Sequence, residues 1–245
     1  MYPEEPNFRL PPEFQGFNPR AAMRNYERNL PHWRQPGATY FLTFRLNDSV
    51  PLAVTEEVRR EREAWQHRLQ LEREQHDGDV TEDSWELYQA FLVRTWRRLE
   101  HVMDSGHGSC LLRDPRIREV VSSALTYFHQ DRADTHGYVV MPNHVHVLVR
   151  PLGEWQPEQL LHSWKSYTAH EINKRFGHAE SLWQEDTWNR IVRDDEHWHR
   201  VMRYQWRNPR HARLLQGQST VWVWDQLIDT SCSRLREDGF DEEPW

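Results

Sequence analysis

The stretch Gly137-Tyr138-Val139-Val140-Met141-Pro142-Asn143-His144-Val145-His146-Val147-Leu148-Val149 constrains the fold of this chain more than any other. Its valines are β-branched and suit an extended backbone, so the stretch is expected to be a strand that ends at Arg150-Pro151. Side chains alternate between faces along a strand. His144 and His146 therefore share one side, and Val145, Val147 and Val149 take the other. Two imidazoles side by side on a rigid strand are half of a metal site.

A chain of 245 residues holds one sizeable core, or a core with one insertion. Its two cysteines, Cys110 and Cys232, lack metal-type spacing and are too few for a disulfide framework. The first residues are acidic and broken by proline, unlike a basic, apolar leader. No apolar run approaches the roughly 18 residues of a membrane span. These features lead to the expectation of a cytoplasmic, reduced protein with no membrane partner. The net charge of -7 is unevenly spread. Residues 51–108 hold thirteen acidic against eight basic groups, whereas residues 109–216, which carry the histidines, hold fifteen basic against thirteen acidic. Of 31 cations only Lys165 and Lys174 are lysines, and arginine forks suit phosphate and base recognition.

Residues 1–38 are rich in proline and aromatics without a period, and read as an extended arm. Residues 39–46 alternate as a strand. Two charged, periodic stretches at 55–76 and 81–104 read as an inserted antiparallel helical hairpin, so residues 51–108 form a unit apart. Asp114-Pro115 opens a further helix, because proline is favourable at the first helical position. Another runs from 157 to 176, closed by Gly177. Strand character returns at 188–192, and a last helix runs from 195 to 208, where Pro209 is expected to stop it. Residues 217–245 read as an acidic tail. Residues 39–50 and 109–216 thus form a core in which strands and helices alternate, as in a small α/β sandwich.

Two neutral imidazoles leave metal positions open for a third ligand, substrate and water. Hydrolytic zinc sites also use His-x-His, but the position two beyond His146 is Leu148 rather than an acid. Tyr204 and Asn208 are four apart and share a helical face, so an amide oxygen could be the third ligand and a phenol the nucleophile. Tyr167 and Glu171 make a competing pair at the same spacing, and spacing alone does not separate them.

The chain resembles the HUH endonucleases, named for His-hydrophobic-His, and among them the REP-associated single-tyrosine transposases. The resemblance is carried by residues 37–44, by 140–146 with the two histidines, and by His162-Ser163-Trp164-Lys165-Ser166-Tyr167. It continues through Leu182-Trp183-Gln184 and Arg190-Ile191-Val192-Arg193 to Tyr204 with Asn208-Pro209. It implies an α+β core of the ferredoxin-like, RRM-like kind: an antiparallel sheet with helices packed on one face, here with the helical hairpin inserted. It implies that Tyr204 is the nucleophile, leaving Tyr167 as the alternative, and that His144, His146 and Asn208 hold Mg²⁺ or Mn²⁺. The implied activity is cleavage and rejoining of single-stranded DNA, with palindromic hairpins as substrate, in a monomer or homodimer. A DNA-binding relative that no longer cuts and a His-x-His zinc hydrolase are the alternatives. Lys165, Lys174, Arg190, Arg193, Arg207, Arg210 and Arg213 are the candidates for backbone contacts, and Trp183 and Trp188 for base stacking.

Overall fold

A computed structural model of the chain describes residues 2–18, 24–27, 31–177 and 181–229. In chain order its elements are β1 (Asn7–Phe8), β2 (Arg24–Glu27), β3 (Pro31–Arg34), β4 (Tyr40–Arg45), α1 (Leu52–Gln75) and α2 (Glu82–Asp104). There follow α3 (Pro115–Tyr127), β5 (Ala133–Val140), β6 (His144–Pro151), α4 (Pro157–Phe176), β7 (Trp188–Ile191), α5 (Asp195–His211), β8 (Thr220–Val223) and β9 (Ile228–Asp229). They divide into two units, Asp48–Ser109 and the remainder of the chain. Among the described residues no helix is long and apolar enough to cross a membrane.

The larger unit is built on an antiparallel sheet of order β7-β4-β6-β5-β8. The stretch 137–149 is not one strand, as its composition suggests, but the closed end of the β5–β6 hairpin. Pro142 has no N–H to give a ladder. Met141 N–H instead donates to His144 O at 2.9 Å, next to the last ladder pair, Val140 with Val145. His144 is therefore the first residue of β6 rather than the middle of a longer strand.

The two faces of this sheet are covered differently. Val145, Val147 and Val149 join Tyr40, Leu42 and Phe44 in a core with Val121 and Leu125 of α3 and Leu160, Trp164 and Ile172 of α4. Each such side chain contributes about 1.5–3 kcal/mol when fully buried. Asp114 accepts from Arg116 N–H at 2.9 Å and caps α3, with Pro115 in its first turn. Gly177, at φ 68°, ends α4 in the left-handed conformation.

α5 crosses the other face. Trp198 Nε1 donates to His136 Nδ1 at 3.1 Å and Gln205 Nε2 to Gly137 O at 3.4 Å. A side chain at Gly137 would meet Trp222 O at 3.2 Å and Met202 Cε at 3.3 Å, so a residue without Cβ lets helix and strand approach. Asp194 caps α5 by accepting from His197 N–H at 2.7 Å. The helix does not stop at Asn208: it runs through Pro209 to His211. So close to the end, the proline removes only the bond to Gln205 O within α5, and the chain leaves through Arg213 at φ 53°.

Both ends of the chain join this unit. Thr220–Val223, in the segment read as an acidic tail, forms the edge strand β8 on β5. Arg118 ties it down, donating to Gly217 O at 2.5 Å and to Thr220 Oγ1 at 3.1 Å. The remainder of that segment, 230–245, lies outside the described residues. The N-terminal arm follows α5: Tyr2 Oη donates to Leu214 O at 2.8 Å, Glu5 pairs with Arg207 at 2.6 Å, and β1 pairs with β9.

The smaller unit is the helical hairpin of α1 and α2. Leu69, Tyr88 and Phe91 form its core, with the Trp65 and Phe91 rings stacked at 5.8 Å. Thr81 caps α2, and Glu57 of α1 pairs with Arg98 of α2. Near the end of α2, burial and the charge of Glu100 push the Asp104 carboxyl up to about 8.

Candidate metal and nucleophile site

The histidine side of the sheet is set by β4 and β6. Cross-strand partners share a face, and the register pairs Thr43 with His146, Arg45 with His144, and Phe41 with Leu148. His144 and His146 are fully buried, with ring centroids 4.8 Å apart. Each imidazole is held through Nδ1, His144 by Asn143 Oδ1 at 2.8 Å and His146 by Thr43 Oγ1 at 2.7 Å. Asn143 Oδ1 only accepts, so its partner Nδ1 of His144 carries the proton and Nε2 is the lone-pair nitrogen, whereas the Thr43 hydroxyl can accept from His146 Nδ1 or donate to it. The pair is compatible with a divalent metal. Two Nε2 donors fit such an ion, and the oxygen-bearing Asn208 on α5 fits as a third donor type.

Tyr204 and Asn208 stand one turn apart on α5, and both are buried, at 7% and 0% exposure. The Tyr204 ring lies 5.5 Å from the His146 ring and edge-on to Phe41 at 6.1 Å, while Phe41 stacks on His146 at 5.4 Å. Phe41 is thus the wedge that holds phenol and imidazole together. Tyr167 is placed otherwise. It is half-exposed on α4, the helix that covers the valine face, and its neighbour Glu171 pairs with Arg175 at 2.6 Å. Of the two tyrosines, Tyr204 is the one on the histidine side.

The cations and tryptophans scatter. Lys165, also on α4, donates to Gln184 O at 2.6 Å and Glu185 O at 3.0 Å, and burial lowers its ammonium to about 8. It ties down the loop before β7. Lys174 is exposed in the last turn of α4, where a cation suits the helix dipole. Trp183 is a core residue: it donates to Thr168 Oγ1 at 2.9 Å and packs on Phe44 at 4.8 Å. Arg207 is held by Glu5, Arg210 donates to Pro3 O at 2.6 Å, and Arg213 is exposed beyond α5. Trp188 and Arg190 do reach the histidine side, since β7 pairs them with Thr43 and Phe41.

Arg45 is a residue that the motifs do not single out. It sits beside His144 on the same face, and burial lowers its guanidinium to about 10 while Asp186 acts the other way. The signal for it lay in the alternation Phe41-Thr43-Arg45, which puts all three on one side.

The comparisons with known proteins find likeness in part of the chain. Residues 111–193 match the family model described as IS200-like transposase. The match includes α3, both histidines, α4 and β7, and it ends before Tyr204 and Asn208. A solved REP-associated tyrosine transposase bound to a REP hairpin aligns with a TM-score of 0.43 and 14% identity, over 79% of this chain and 77% of that one. Among curated proteins nothing matches. The histidine hairpin and its supporting helices lie inside the matched residues, so over 111–193 the chain is similar to the IS200-like transposases.

Proposed function

We propose that this protein cuts and rejoins single-stranded DNA through Tyr204, with Mg²⁺ or Mn²⁺ held by His144, His146 and Asn208. The observation that carries the reading is the Tyr204 ring 5.5 Å from the His146 ring, on the sheet face opposite α3 and α4. A phenol ordinarily loses its proton near pH 10 and is a weak nucleophile below that. When bound, the metal supplies positive charge that favours phenolate and neutralises the scissile phosphate. Thr43 and Asn143 hold the imidazole rings through Nδ1, and Phe41 packs edge-on to the phenol beside them.

Tyr204 Oη then attacks phosphorus in line. The new bond is a 5′-phosphotyrosine, and the bond that breaks frees a 3′-hydroxyl. One phosphodiester has replaced another, so attack by a 3′-hydroxyl reverses the step and joins new ends without ATP. The family resemblance supports palindromic hairpins of the REP kind, with an unpaired foot, as the DNA partner. Unpaired foot nucleotides suit recognition by stacking and phosphate contacts.

The test is incubation with a hairpin oligonucleotide and Mn²⁺, followed by denaturing electrophoresis. The expected result is a protein–DNA adduct that Tyr204→Phe abolishes and Tyr167→Phe leaves intact. An adduct that persists in Tyr204→Phe overturns the assignment of the nucleophile. Cleavage of every hairpin without any adduct would instead favour hydrolysis at the histidines.

A further inference from the structure

Three guanidiniums gather beside the nucleophile. Arg190 projects from β7 on the histidine side, because its register partner is Phe41, the residue stacked on His146. Arg200 lies one turn before Tyr204 on α5, and Arg193 links β7 to that helix. Burial, then the charges of Arg193 and Arg200, lower the Arg190 guanidinium to about 10. Like charges brought together in partly buried surroundings cost stability, and an anion among them relieves the cost. Arg200 Nε is also buried with no hydrogen-bond partner among the described residues. An unmade bond at a buried donor is unfavourable, and more so at a charged group.

The neighbouring arginines of α5 are occupied differently. Arg207 is held by the Glu5 carboxylate at 2.6 Å and Arg210 by Pro3 O at 2.6 Å, both from the N-terminal arm. The chain thus supplies acceptors to the far end of α5, whereas Arg200 Nε, nearer its start, has none among the described residues.

We propose that Arg190, Arg193 and Arg200 form a second phosphate site, which takes the DNA phosphate next to the one Tyr204 attacks. This rests on the strand-transfer reading above and adds to it a fixed path for the strand, running from β7 past Phe41 to the histidines. The ligand is a phosphodiester of unpaired DNA, bound through the flat guanidinium forks.

The experiment uses the full chain and hairpin oligonucleotides in which single phosphodiesters are replaced by neutral methylphosphonates. The parent protein is expected to lose affinity about 10-fold at one linkage adjacent to the cleaved one. Arg200→Gln is expected to lose that sensitivity, and its logarithmic salt dependence of binding should be shallower by about 0.7 for each phosphate it no longer neutralises. Its melting temperature should equal or exceed that of the parent, because one of three like charges is gone, which a structural role would not produce. Arg193→Gln, at an exposed position, serves as the second variant. Parent-like affinity, salt slope and linkage sensitivity in both variants overturn the second site while leaving the Tyr204 adduct in place. A parent protein that neither binds nor cuts any hairpin overturns both readings.

Discussion

The two faces of the central sheet are made from the same strands and do opposite work. On one, Val145, Val147 and Val149 meet α3 and α4 in an apolar core. On the other, His144 and His146 meet α5 among Thr43, Arg45, Phe41 and Tyr204. Both faces are closed to solvent, and every residue of β5 and β6 is buried. Burial stabilises the first through transfer of apolar surface. On the second it carries a cost, because each polar group must find a partner. The difference teaches that this sheet separates the elements that hold the fold from those of the proposed chemistry, with the plane of the backbone between them.

The largest expected effect falls on the valine face. Trp164→Ala should destabilise the protein by about 3–5 kcal/mol, since a fully buried indole leaves a cavity against the sheet. Chemical denaturation measures this, and the fraction still folded should form the Tyr204 adduct at the parental rate. A variant that keeps its stability but loses the adduct would break the separation of roles.

A smaller effect is expected across the sheet. Thr43→Val removes the partner of His146 Nδ1 at nearly constant shape. Metal affinity should fall about 10–100-fold, as for other partners of metal-bound histidines. Titration of Mn²⁺ against adduct formation reads the shift, and the full rate should return at saturating metal. An unchanged midpoint would remove Thr43 from the support of the site.

The smallest effect concerns acid. Burial, with Arg150 and His129 nearby, holds the His136 imidazole down at about 3. The unfolded chain takes up this proton near pH 6.5 and the folded one does not. Its contribution to stability is therefore complete above about pH 6.5 and declines as pH falls toward 3. Urea midpoints between pH 7.5 and 5.5 should fall on acidification, and His136→Gln should flatten that fall. A slope unaltered by the substitution would place the acid sensitivity elsewhere. The valine face has no titrating group among Val145, Val147 and Val149 and contributes no such slope.

Much of this arrangement could be read from residue order, and the parts that could not share a cause. The alternation of His144 and His146 against three valines decided the faces. Periodicity over 55–76 and 81–104 located the helical insertion to within a few residues of α1 and α2. Local signals resolved what is locally determined, such as Asp114-Pro115 at the start of α3 and Gly177 at the end of α4. The turn at Met141-Pro142-Asn143 was obscured by the valines on both sides, although a proline followed by asparagine is itself a turn signal. Tyr167 and Tyr204 have equivalent helical spacing, so the choice between them depends on which face of the sheet each helix covers. Trp183 and Lys165 looked like surface groups because an indole and an ammonium do not reveal that Thr168 and the carbonyls of 184 and 185 await them. Edge strand β8 lay in a segment whose overall acidity masked four residues of β-forming sequence.

The helical insertion leaves and rejoins the chain through one narrow neck. Ser109 N–H donates to Asp48 Oδ2 at 2.6 Å, and Gly108, at φ +84°, packs so closely that a Cβ there would stand 2.4 Å from Asp48 O. The neck is therefore a natural splice point. The hydrogen bond from Ser109 to Asp48 brings the two ends of the insertion together, so the residues from Asp48 to Ser109 add little to the path from β4 to α3.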